Sequence, residues 1–263
     1  YIFINSSIAK DNSCEIFLLK NNFLDPKNIE SIDIEVYDAR KWYINFAKIL
    51  SDRRNQIRNK FKKKFPAKVT VNYKNDIKCD LEAKIRQVGD FKDHIKFEGN
   101  NKYQSLNVDL KNGNILGTTK FKLFIPQTRN GINEVFTTAI LREAKILSPR
   151  SYLFPVKFNE SEKKLMIFQE NPVKEFIEFN NRREGPIFEA DEQILWNYRA
   201  KNLKDPELLV LNRQTNKNYF LKSNSTKINS SYWFLKLQNE FIKYHLSERK
   251  IFDLMSLSNG NKK

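Results

Sequence analysis

The stretch Lys120-Phe-Lys-Leu-Phe-Ile-Pro-Gln-Thr-Arg129 decides the expected fold, because a short strand there leads directly into a helix. The Phe, Leu and Ile side chains in its first half are typical of a strand. Between Ile132 and Leu147, apolar residues recur every three or four positions, which predicts a helix with one apolar stripe. Pro149 ends this helix, since a residue before proline avoids the helical conformation.

Short apolar segments on both sides of this stretch predict further strands. The clearest is residues 77–88, where apolar residues occupy every second position and mark one buried face. The turn Lys111-Asn-Gly-Asn114 joins two of the strands, and its Asn-Gly pair suits a tight hairpin. The predicted strands of this region cover residues 69–73, 77–88, 105–110, 120–125, 152–158 and 164–168.

This order of elements favours an α+β fold that resembles a protein kinase. We expect a kinase-like small lobe, made of an antiparallel sheet and one helix, followed by part of a mainly helical large lobe. Residues 1–65 are expected to form an N-terminal accessory segment, residues 66–170 the small lobe, and residues 171–263 the start of the large lobe. Outside the small lobe, strands are predicted at 2–4 and 14–19, helices at 38–52, 173–183, 192–201 and 232–246, and an exposed polar loop or ribbon at 212–231.

The chain has a formal net charge of +16, and its densest basic segment runs from Arg53 to Lys68 without an acidic residue. Such a segment can bind an anionic polymer or a membrane surface. A general compositional bias that enriches Lys along the whole chain explains much of the charge as well. No known nucleic-acid-binding signature accompanies the segment, so a specific nucleic-acid site is not favoured.

Other classes of site are excluded by the residue content. The chain has only two Cys and two His, which are spread too far apart in sequence for a structural zinc site. His94 lies in a polar segment and is interpreted as a surface-loop residue.

No apolar run reaches the length of roughly 18 residues that a membrane span needs. The sequence leaves the compartment open between the cell envelope and the cytoplasm.

Several short motifs resemble those of the CotH family of atypical protein kinases and occur in the same order along the chain as in that family. The family is named after a spore-coat member. They are Gly113-Asn-Ile-Leu-Gly117, Phe121-Lys-Leu-Phe124, Thr128-Arg129, Asn133-Glu-Val-Phe136, Ser148-Pro-Arg150, Phe168-Gln-Glu170, Lys174-Glu-Phe-Ile-Glu178 and Arg183-Glu-Gly-Pro-Ile-Phe188. The resemblance covers residues 66 to 195. It implies ATP-dependent phosphoryl transfer to a protein, assisted by Mg²⁺ or Mn²⁺.

Phosphoryl transfer needs cations against the phosphates and a carboxylate that holds a lysine in place. The resemblance therefore singles out eight candidate residues for binding the nucleotide. They are Lys102, Lys120, Lys122, Arg129, Glu134, Glu143, Gln169 and Glu170. The sequence does not decide which lysine pairs with which glutamate. Plainer explanations also exist, since strand lysines are commonly solvated and Glu134 is favoured at a helix N-terminus in any case.

The chain departs from the family in its second half. The family carries a His-x-x-x-x-x-Asn-Arg loop and then an Asp-Gly segment, and neither follows Leu195. Asn212-Arg213 lacks the preceding His, and Asp253 lacks the following Gly. We therefore expect this chain to be an N-terminal fragment, with catalytic and metal-binding residues unassigned. The alternative is a non-catalytic scaffold for cell-envelope or surface assembly that binds an anionic polymer.

Overall fold

The computed structural model describes residues 22–98, 101–190 and 211–246, and most regular structure in them is β. The strands are β1 Ile29–Val36, β2 Phe65–Tyr73, β3 Lys78–Gln87, β4 Ile95–Glu98, β5 Asn101–Gln104, β6 Leu106–Leu110, β7 Lys120–Phe124, β8 Ser151–Phe158, β9 Lys164–Glu170, β10 Phe188–Ala190 and β11 Leu211–Gln214. The α-helices are α1 Ala39–Ser51, α2 Asn133–Glu143, α3 Lys174–Phe179, α4 Lys217–Phe220 and α5 Asn224–His245.

Seven of the strands form a closed barrel in the order β1-β2-β3-β6-β7-β9-β8. Neighbouring strands are antiparallel except for β1 and β8, which are parallel, with Ile32 opposite Val156. The strand pairs β4-β5 and β10-β11 form two separate small sheets. Because the barrel closes on itself, none of its seven strands is left as an exposed edge.

The barrel interior is the main hydrophobic core. Alternate residues of each strand point inward, as the pleat of a strand requires. Phe121 of β7 stacks on Phe168 of β9 with ring centroids 4.6 Å apart, and both side chains are buried. Trp42 of α1 packs edge-on against Phe65 at the start of β2, with centroids 5.0 Å apart. The core is thus filled from the strands and closed in part by α1.

The expected α+β fold with a kinase-like small lobe and a helical large lobe is wrong. The structure is mostly β, and its sheet closes into a barrel. The cause is strand β1, which the sequence analysis missed and which lies between β2 and β8. Its residues Ile32, Ile34 and Val36 are all buried in the core. Residues 29–36 therefore complete the same sheet as β2 and β8.

Most other predicted elements are confirmed, with changed ends. The six strands predicted between residues 69 and 168 correspond to β2, β3, β6, β7, β8 and β9, and helices occur near 38–52, 132–147, 173–183 and 232–246. The exposed polar loop or ribbon expected at 212–231 is correct only at its start, where β11 pairs with β10; the rest contains α4 and the first part of α5. Ser223 and Thr226 form a capping box that starts α5 there. The elements predicted at 2–4, 14–19 and 192–201 lie outside the described residues.

The chain divides into two compact units. The barrel and α2 belong to the first, which includes residues 22–98, 101–143 and 148–171. The second includes residues 144–147, 172–190 and 211–246. None of the helices within these ranges has both the length and the apolar character that crossing a membrane requires.

Candidate functional site

A row of polar side chains runs across four adjacent strands on the outer surface of the barrel. Lys122 of β7 is opposite Asn107 of β6 on one side and Gln169 of β9 on the other. Gln169 is in turn opposite Ser151 of β8. These residues point outward because their neighbours in sequence face the core. Asn107 and Gln169 are 9% exposed and Ser151 is 1% exposed, so the row is largely shielded from water.

Helix α2 adds a carboxylate to this row. Nε2 of Gln169 donates a hydrogen bond of 2.5 Å to Oε1 of Glu134, in the first turn of α2. The same nitrogen lies 3.3 Å from Oγ of Ser151. Glu134 is thereby held next to Gln169, which is the cross-strand neighbour of Lys122. The structure thus brings together Lys122, Glu134 and Gln169, three of the candidates from the sequence.

Arg129 lies close to the same site, because it shares an aromatic neighbour with Lys122. The guanidinium carbon of Arg129 is 4.1 Å from the centroid of the Phe124 ring, and Nζ of Lys122 is 5.8 Å from that centroid. Both distances allow a cation–π interaction. Nε of Arg129 is buried and has no hydrogen-bond partner within the described residues. Two cations and one unused donor therefore surround this ring.

His94 packs near the same ring, with centroids 6.0 Å apart. Its Nδ1 is 2.9 Å from Oγ of Ser105, and a Cβ at Gly89 would lie only 2.2 Å from the imidazole. Burial lowers the pKa of His94, and nearby Arg129 lowers it further against the opposite effect of Asp93. His94 does lie in the connection between β3 and β4, at the end of a short 3-10 turn, but its side chain is half-buried and not freely exposed. Its ring packs beside Phe124 and so supports the site.

Three other candidates also belong to the barrel unit but have other partners. Nζ of Lys120 is 3.9 Å from Oδ1 of Asp109. Lys102 lies in β5, where its Nζ is 5.8 Å from the centroid of the Tyr43 ring. Glu143 is exposed at the end of α2 that is opposite Glu134. Lys120 shares the outward face of β7 with Lys122 and lies beside the polar row, where Asp109 is its partner, whereas the structure does not bring Lys102 and Glu143 to the row.

Glu170, the last candidate, forms a buried ion pair with Arg150. Nη2 and Nε of Arg150 are 2.6 and 3.0 Å from Oε2 of Glu170, and the backbone N–H of Arg150 donates to Oε1 at 2.8 Å. Nη1 of Arg150 donates to the carbonyl of Leu116 at 2.7 Å. Both side chains are at most 5% exposed. The sequence analysis did not identify Arg150 as a partner, although the motif Ser148-Pro-Arg150 contains it.

The basic segment from Arg53 to Lys68 separates into two parts. In the second part, Nζ of Lys62 is 2.8 Å from Asp90, and Lys64 and Lys68 are each 3.0 Å from an aspartate. The first part lines a surface pocket of about 500 Å³. We call this the basic pocket, and its lining residues are Lys48, Ser51, Asp52, Arg53, Arg54, Arg58, Lys60 and Phe61.

No metal site is evident in the described part of the chain, where no three His, Cys, Asp or Glu side chains lie close enough together to hold an ion. Comparison with known proteins found no protein-family model and no curated protein that matches the chain.

Proposed function

We propose that this chain takes part in ATP-dependent phosphoryl transfer to a protein, the activity implied by its resemblance to the CotH family. The observation that carries the proposal is the convergence of Lys122, Glu134 and Gln169 from a strand, a helix and another strand. Because the kinase-like fold is not observed, the support for the proposal comes from these side chains and the short motifs, not from the fold class.

The residues around Phe124 have the chemistry that nucleotide phosphates require. Lys122 and Arg129 supply positive charge beside the shielded polar row, where the interaction with a phosphate is stronger than in bulk water. The unused Nε–H of Arg129 offers a donor to a phosphate oxygen. Gln169, the cross-strand neighbour of Lys122, holds the Glu134 carboxylate beside the polar row. Mg²⁺ or Mn²⁺ would neutralise the phosphates, and the described residues assign it no ligands.

The first test measures nucleotide binding by the Lys122→Ala variant. Isothermal titration with ATP and Mg²⁺ or Mn²⁺ should show binding that this substitution weakens about tenfold, because a charge-assisted hydrogen bond contributes roughly 1.5–3 kcal/mol. Lys157→Ala is the matched control, since Lys157 also points outward, from strand β8, but is exposed and lies away from the row. Unchanged binding in Lys122→Ala would contradict the assignment.

Transfer itself is tested by incorporation of labelled phosphate into a generic protein substrate. We expect Glu134→Gln to lower incorporation, because an amide cannot provide the negative charge that holds a lysine in place. If the wild type and the variant both bind ATP but incorporate no phosphate into the substrate, the chain binds nucleotide and the proposed transfer step is rejected.

A second candidate function is a non-catalytic module for cell-envelope or surface assembly that holds an anionic polymer. The basic pocket favours it, because five cationic side chains there face a single carboxylate. This function predicts binding to polyanions that falls steeply with salt, together with no response to nucleotide at the polar row.

A further inference from the structure

The basic pocket holds more positive charge than the chain itself neutralises. Lys48, Arg53 and Arg54 are exposed, and within the described residues their side chains form no ion pair and no hydrogen bond. Arg58 and Lys60 complete the set of cations, and Asp52 is the one carboxylate among the lining residues. An anion entering the pocket would therefore meet three cations, Lys48, Arg53 and Arg54, that have no competing partner within the described residues.

Asp52 organises the pocket. Its Oδ1 accepts a hydrogen bond of 3.1 Å from the backbone N–H of Arg54, and its Oδ2 pairs with Nη2 of Arg58. These bonds lower the pKa of Asp52 below its usual value, and the bond from the Arg54 N–H has the largest effect. The ionised carboxylate fixes the Arg58 guanidinium in place, and its own charge is already paired.

The C-terminus of α1 reaches the pocket, and Lys92 binds two of the carbonyl groups there. Nζ of Lys92 donates to the carbonyl oxygens of Leu50 at 3.0 Å and of Asp52 at 2.6 Å. The C-terminal end of a helix carries partial negative charge, which would repel an anion. Lys92 offsets this charge from outside the pocket lining.

Two of the cations are held against an aromatic ring before any ligand arrives. The guanidinium carbon of Arg58 is 5.3 Å from the centroid of Phe61, and Nζ of Lys60 is 4.9 Å from it. Nε of Arg58 is buried and has no hydrogen-bond partner within the described residues. Cations that are already positioned lose less conformational entropy when they bind a ligand.

Beyond the pocket, Lys63 is one more exposed cation of the basic segment, but the unpaired charge does not continue along β2. Lys62, Lys64 and Lys68 are paired with aspartates, so the next part of the basic segment offers no continuous track for a polymer. The volume of about 500 Å³ is in the range of small-molecule sites. Three arginines favour phosphate, whose oxygens match the two-pronged geometry of a guanidinium.

We propose that the basic pocket binds an anion carrying two or more neighbouring phosphate groups, supplied either by a free compact ligand or by one segment of a longer phosphate polymer. Several clustered phosphates match five cations, whereas a single phosphate does not. This inference rests on the second proposed function, the binding of an anionic polymer, and specifies that the bound groups are phosphates. It does not depend on phosphoryl transfer at the polar row.

The experiment titrates the full chain with inorganic tripolyphosphate at about 0.15 M salt. We expect one site, with affinity reduced at least tenfold in Arg53→Ala/Arg54→Ala, where two exposed cations are lost without disturbing the core. Lys62→Ala/Lys68→Ala removes the same charge from residues already paired, and it should change the affinity by less than about threefold. No binding, or an equal loss in both variants, would overturn the proposal.

Three comparisons complete the test. Citrate should bind more weakly, and equal binding of citrate would overturn the preference for phosphate. Long-chain polyphosphate distinguishes the two sources of the ligand. If several protein molecules bind to each polymer chain, each with the affinity measured for tripolyphosphate, the ligand is a segment of a polymer. If the protein binds tripolyphosphate but not the long chain, the ligand is a free compact anion. If ATP binding survives Lys122→Ala but not Arg53→Ala/Arg54→Ala, the nucleotide occupies the basic pocket, which supports this proposal and contradicts the polar-row site.

Discussion

At the scale of single residues, Arg150 and Glu170 show how a charged pair can serve the barrel. Glu170 follows Gln169, so strand alternation turns its side chain to the inner face, where Phe121 is its cross-strand partner. A lone carboxylate there would be strongly unfavourable. Arg150 neutralises it with two side-chain nitrogens and also binds the Leu116 carbonyl. The pair therefore joins β9, the start of β8 and the loop before β7.

Breaking this pair should be costly. We predict that Arg150→Met lowers the free energy of unfolding by about 3–5 kcal/mol, because Glu170 is left buried without its partner. Urea unfolding followed by circular dichroism measures the change. Arg142→Met is the control: Arg142 is half-buried and donates to one carbonyl, that of Pro149, so its loss should cost only about 1 kcal/mol. Equal costs for the two variants would contradict the argument.

At the scale of elements, α2 shows where apolar periodicity misleads. Its apolar stripe would ordinarily face a core, yet Phe136 is 65% exposed and Ile140 is 51% exposed. Its one buried residue is Thr138, whose hydroxyl donates to the carbonyl of Glu134 at 2.9 Å. The strands already fill the barrel interior, so the stripe contributes little to the core.

This difference predicts unequal costs for two Phe substitutions. Phe136→Ser should change the free energy of unfolding by less than about 0.5 kcal/mol, as expected for an exposed residue. Phe121→Ala should cost about 3–5 kcal/mol, because it removes a fully buried ring that stacks on Phe168. Thermal and urea unfolding of both variants measure the costs. A large loss in Phe136→Ser would mean that the stripe is covered in solution.

The elements also show what the sequence could predict. Strands β2 and β3 were found because their apolar residues alternate, a local property of the chain. Strand β1 alternates as well, but its place between β2 and β8 depends on partners more than 30 and 100 residues away. Lys122, Glu134 and Gln169 were each named as candidates from motifs. Their meeting depends on the strand register and on the position of α2, which no local pattern specifies.

At the scale of the whole molecule, closure of the barrel makes distant strands depend on one another. Strand β1 pairs with β2 on one side and β8 on the other, so its loss would expose two edges at once. The inner faces of all seven strands share one core. Disruption of β1 should therefore also destabilise β7 and β9, although neither strand is a neighbour of β1 in the barrel. These two strands carry Lys122 and Gln169.

The Ile32→Pro variant tests this dependence. Proline removes a backbone donor in the middle of β1 and costs more than about 3 kcal/mol in a regular element, which is a large part of a typical domain's stability. We predict faster hydrogen exchange throughout the barrel, including β7 and β9. Ile32→Val is the control, because it keeps the backbone bonds and a β-branched side chain and costs about 0.5–1.5 kcal/mol. If β6, β7 and β9 keep their protection in Ile32→Pro, they fold as an independent sheet that does not need β1, and closure does not couple the barrel.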